Sequence, residues 1–142
     1  MKKRVFKYRA IGIVLFIIEV FLGLLFGYGT IVSFEDLQNG KILSLDNVIL
    51  PFAALISITA ILCIISIILK GIKTILFFNI HYIIVGIFFA FGFIKQLFEG
   101  AEVSEDIEKF IIVFFVLSIL LFTINFFKYK ETEFLEIDEI GN

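Results

Sequence analysis

Residues 10–34 read AIGIVLFIIEVFLGLLFGYGTIVSF, an apolar run interrupted by a single charge, Glu19. At 1.5 Å per residue, a helix over this run crosses the roughly 30 Å hydrocarbon core of a bilayer with some tilt. Glu19 then lies about 13 Å along the helix from Ala10, deep in the hydrocarbon. Gly12, Glu19, Gly23, Gly27 and Thr30 follow at separations of seven, four, four and three, which stacks them on one helical face. Gly23 and Gly27 form a GxxxG pattern, which removes side-chain bulk so that a second backbone can approach. A carboxyl on such a stripe is expected to face protein or a water-filled cavity, because lipid offers it no partner.

Composition extends this reading to the whole chain. Of 142 residues, 61% are hydrophobic and 18% charged, whereas soluble domains run nearer half apolar and about a quarter charged. The mean hydropathy is +1.10, and the apolar residues fall in blocks of membrane-spanning length. Four spans are predicted, at about 10–34, 48–69, 74–98 and 109–127. The expected fold is all-α, a polytopic integral membrane protein. Its four transmembrane helices form an antiparallel up-down-up-down bundle in a single membrane domain over 1–142.

Between the spans the chain is short and polar. Glu35 to Asn47 contains Asn39-Gly40, a turn signal. Pro51 falls near the first turn of span two, where a missing N–H costs least. Lys70-Gly71-Ile72-Lys73 predicts a tight turn that makes spans two and three antiparallel neighbours. Glu99 to Glu108 is an acidic connection, and 128–142 is a polar, mostly acidic tail. Met1 to Arg9 has the basic character of a signal-peptide n-region. The apolar run behind it exceeds an ordinary h-region and no A-x-A site follows, so an uncleaved first helix is expected.

Charge predicts orientation. Lys2, Lys3, Arg4, Lys7 and Arg9 precede span one, Lys70 and Lys73 join spans two and three, and Lys128 and Lys130 follow span four. If the chain alternates, all three clusters share one side. The other side holds Lys41, Lys95 and Lys109 beside Glu99, Glu102, Glu105, Asp106 and Glu108. The excess of lysine and arginine expected in the cytoplasm places both termini there, in a cell membrane. Arginine is confined to Arg4 and Arg9, while Lys, Ile and Phe are heavily used. That bias fits an AT-rich, bacterial genome.

Lys95 ends span three as a snorkelling lysine, while Glu19 and His81 fall within spans one and three as candidate polar sites. Glu19 reads either as a proton- or cation-binding carboxyl or as a hydrogen-bonded cement of the bundle. His81 lies about 10 Å into span three from Thr74, close to the depth of Glu19, so a Glu19–His81 hydrogen bond is geometrically open. Functionally such a pair senses protons; the plainer expectation is an interfacial histidine satisfied by backbone or headgroups, with Asn79 and Tyr82 beside it. Thr59, Cys63, Ser66 and Lys70 form a mildly polar stripe on span two, and Ser118 and Asn125 lie seven apart on span four. Both sets read as helix packing. Gly12, Gly23 and Gly27 are the expected close-approach positions. The acidic connection reads as a solvated loop without EF-hand spacing, and the tail as disordered.

No HExxH, GxSxG, Walker A or GxGxxG pattern is present, and one histidine with one cysteine makes a poor catalytic metal site. No enzyme activity, cofactor or metal is expected. The lone Cys63 allows neither an intrachain disulfide nor a CxxC pair. The basic amino terminus is short and juxtamembrane, which suits anionic lipid rather than nucleic acid.

Ile17 to Gly23, with Glu19 followed by Val20, resembles the small multidrug resistance transporters, which carry an essential glutamate in the first of four helices. That likeness implies proton-coupled export through Glu19; the chain lacks the tryptophan those transporters carry. His81-Tyr82 early in span three, with cytoplasmic termini, is similar to small four-helix bacterial proteins that partner LytTR-type transcription regulators. The function expected first is therefore a small membrane interaction protein, a regulatory, inhibitor or immunity-type partner of another membrane or cytoplasmic protein. The alternative is a proton- or cation-coupled small-molecule transporter using Glu19, as a homo-oligomer.

Overall fold

The computed structural model describes residues 5–38, 49–99 and 103–129, with the backbone alone for 99 and 103–106. Four helices follow in order: α1 (Arg9–Gln38), α2 (Ile49–Leu69), α3 (Thr74–Glu99) and α4 (Val103–Phe126). Each holds a segment long and apolar enough to cross a membrane, the last over Ile107–Phe126. They pack sequentially, α1 on α2, α2 on α3 and α3 on α4, as an up-down bundle. The fold defines a four-span helical membrane protein. Most large apolar side chains of the spans face outward, because lipid is as good a surrounding for leucine or phenylalanine as a protein core.

Two helix ends differ from the sequence reading. α1 runs on through Glu35 and Asp36 to Gln38, where a polar connection was expected from Glu35. At 30 residues it is about 45 Å long and outreaches the hydrocarbon, so its last polar turn lies beyond the lipid core. α4 begins at Val103, six residues before Lys109. The acidic connection is therefore partly helical. The Asn39-Gly40 turn, Lys41, Glu102 and residues 130–142 lie outside the described residues.

The turn between α2 and α3 closes in few residues. Lys70 takes a left-handed conformation at φ 51°. Its N–H donates to the Ile67 carbonyl at 3.2 Å, and that of Gly71 to the Ser66 carbonyl at 3.1 Å. This is the Schellman arrangement, which satisfies carbonyls the helix leaves open. Thr74 at the start of α3 donates its hydroxyl back to Gly71 or Ser66, at 2.7 and 3.0 Å. The hairpin register follows: Ser66 and Thr74, Thr59 and His81, and Phe52 and Phe88 meet as pairs equidistant from Lys70. Each level lies seven residues from the last, the step of knobs-into-holes packing.

A short backbone clasp joins the ends of the bundle. Phe6 and Lys128 form an antiparallel bridge, with Lys7 N–H donating to Phe127 O and Tyr129 N–H to Val5 O, both at 2.9 Å. Phe6 turns inward, edge-on to Phe78 at 6.2 Å between ring centres.

Candidate functional site

The glycine stripe of α1 meets α2 at its two central glycines. A Cβ at Gly23 would sit 3.7 Å from Ala60, and one at Gly27 would sit 3.4 Å from the Ser57 hydroxyl. Ser57 also donates to the Gly23 carbonyl at 3.4 Å. Gly12 behaves differently. Its neighbour is the Phe6 ring at 3.6 Å, so it makes room for the segment preceding α1 and not for another span.

This approach carries the next residue of the stripe, Glu19, into the centre of the bundle. Glu19 and His81 are both fully buried, and Oε2 of Glu19 lies 3.2 Å from Nε2 of His81. Neither atom makes a fully formed hydrogen bond there. The other ring nitrogen, Nδ1, lies 2.8 Å from the hydroxyl of Thr59. Tyr82, also buried, packs edge-on to the His81 ring and presents its hydroxyl to the Glu19 carboxyl, short of full hydrogen-bond geometry. Cys63 of α2 is buried beside them.

His81 is therefore a core residue bridging α1 and α2, where an interfacial one was expected. Tyr82 likewise lies inside. Thr59, grouped with the packing stripe of α2, is the second partner of the histidine. Sequence carried a signal for it: a tight turn at Lys70 makes residues equidistant from it neighbours. Cys63 and Ser66 also face inward, whereas Lys70 is exposed at the turn. Ser66 donates to its own helix at the Cys63 carbonyl, 2.8 Å away.

α3 meets α4 on another face. Asn79 and Asn125 exchange two amide hydrogen bonds, at 3.1 and 2.8 Å. Leu117 packs on Gly86, and Phe93 on Phe110. Ser118 donates within its helix, to the Phe114 carbonyl. Among the described residues no cluster of three histidine, cysteine or carboxylate side chains could hold a metal ion.

The arrangement can hold, share or pass a proton between a carboxyl and an imidazole, screened from both membrane faces. Comparison with protein-family models, with curated proteins and with solved structures finds no match to this chain.

Proposed function

We propose that this is a non-enzymatic interaction protein of a bacterial cell membrane, a regulatory, inhibitor or immunity-type partner of another protein, with both termini in the cytoplasm. One observation carries the reading. The clasp gathers exposed Lys7, Tyr8, Arg9, Lys128 and Tyr129 onto one end of the bundle, where the turn adds exposed Lys70 and Lys73. Meanwhile the ionisable groups of the interior face one another. A basic, tyrosine-bearing platform fixed by backbone hydrogen bonds suits docking to an acidic partner at the membrane surface. Mild crosslinking and affinity purification from native membranes tests it. The expected result is a stoichiometric partner retained by the wild type and lost when Lys7, Arg9 and Lys128 become alanine. Recovery of self-associated protein alone rejects it.

A second reading, proton- or cation-coupled transport of a small molecule, draws on the burial of Glu19 against His81. It requires that Glu19→Gln abolish proton flux in liposomes while the protein stays folded. Wild-type flux in that variant ends it.

A further inference from the structure

The Thr59 hydroxyl has one hydrogen and three neighbours that could accept it. The carbonyls of Leu55 and Ile56 lie 2.9 and 3.1 Å away, and Nδ1 of His81 lies 2.8 Å away. The carbonyls have no hydrogen to offer. Were the hydroxyl to donate to Nδ1, its lone pairs would press on two carbonyl oxygens in a medium of low dielectric, where such contacts are costly. Donation back along the helix, usual for a helical threonine, removes that conflict. Nδ1 must then carry the hydrogen and donate it to Thr59.

This fixes what Nε2 meets. A bare Nε2 facing an ionised carboxylate at 3.2 Å would set lone pair against lone pair, with one uncompensated negative charge in the bundle. A protonated Nε2 facing a carboxylic acid would leave one uncompensated positive charge. Between these stand two neutral forms, imidazolium with carboxylate and imidazole with carboxylic acid, which differ only in where one proton sits.

We propose that Glu19 and His81 form a binding site for a single proton, held in a net-neutral pair whose tautomer is set by Thr59. The titratable side chains around it are Cys63 from α2, buried beside the pair, and Tyr82 from α3, whose hydroxyl faces the Glu19 carboxyl; α4 meets α3 at Asn79, Gly86 and Phe93, on a different face. The proton also has a mechanical role. Side chains of α1 meet α3 at Glu19, which faces His81 and the Tyr82 hydroxyl, and at Phe26–Phe88, with Phe6–Phe78 below them. Losing the proton turns the Glu19–His81 contact from attraction to repulsion and leaves the Tyr82 hydroxyl as the donor facing the carboxylate. This site is independent of which partner or cargo the protein serves.

The chain has one histidine, so nitrogen-15 labelling of histidine in the full-length protein in lipid nanodiscs reports His81 alone. Carbon-13 labelling of glutamate, with the signal assigned by its loss in Glu19→Gln, reports the carboxyl. The expected spectrum shows Nδ1 protonated and one proton shared: either both ring nitrogens protonated beside a carboxylate, or a bare Nε2 beside a carboxylic acid. A bare Nδ1, a bare Nε2 beside a carboxylate, or a doubly protonated ring beside a carboxylic acid each overturns the proposal. Thr59→Val, close to isosteric, tests the tautomer. Appearance of the Nε2–H form supports the assignment, and an unchanged Nδ1 signal refutes the role given to Thr59. Should that variant not fold, the wild-type spectrum alone decides.

Discussion

α3 presents two faces built on the same seven-residue step, and they differ in kind. Thr74, His81 and Phe88 look toward α2, and two of them also toward α1. Asn79, Gly86 and Phe93 look toward α4. On the first face three helices converge, and Glu19, Thr74 and His81 are wholly buried. On the second only two helices meet, and the amide pair stays partly exposed at the rim. Burial follows: 28% of the α2 span is enclosed against 11% of the α4 span. In a membrane the identity of a polar residue matters less than how many helices surround it. Between two helices an asparagine pair can satisfy itself. Among three, a titratable pair becomes inescapable, and its charge state becomes a condition of the packing.

The sharpest way to break this contrast is to strip the inner face of one partner. His81→Leu leaves Glu19 buried without its counterpart and should cost about 3–5 kcal/mol, whereas replacing both residues by leucine should recover most of that loss. Reversible unfolding in bicelles, read as a double-mutant cycle, checks both outcomes. If the double variant is no better than the single one, the pair is not the reason for the loss.

A smaller effect is expected where α1 is drawn against α2. Gly27→Ala adds a methyl at 3.4 Å from Ser57 and should be tolerated with slight adjustment, while Gly27→Leu overpacks the seam and should cost about 1–3 kcal/mol. Crosslinking between cysteines introduced in α1 and α2 would report the separation. Equal crosslinking in the leucine variant would show that the glycine is not needed for close approach.

The outer face should respond least. Asn79→Leu or Asn125→Leu removes a reciprocal amide pair, and interhelical hydrogen bonds in membranes average about 0.6 kcal/mol, with a maximum near ~1.7. The same unfolding assay measures it. A loss as large as that of His81→Leu would erase the distinction between the two faces.

How much of this lay open in the sequence depends on the range over which each signal acts. Spans two and three were legible because apolar runs end abruptly at Lys70 and Phe98. The limits of α1 and α4 were not, because a helix that has left the lipid can run on through polar residues such as Glu35, Asp36 and Glu108, and hydropathy does not mark where it stops. Glu19 and His81 were placed at similar depth by counting residues. That they meet depends on the rotation of each helix, which depth alone does not give. Thr59 could have been found from the turn at Lys70. The Asn79–Asn125 pair had no such anchor, since its register passes through a connection without a tight turn. The bridge from Phe6 to Lys128 left no periodic trace, being two residues facing two residues across almost the whole described chain.

That bridge sets an order of events. A ribosome delivers Val5 to Lys7 first and Phe127 to Tyr129 only after all four helices have been made. The amino-terminal segment must therefore wait, on the same side of the membrane, through the synthesis of everything between. Completion of the fold is deferred until α4 has been made, and a chain interrupted before Phe127 carries the four spans but lacks the closure that joins the first to the fourth.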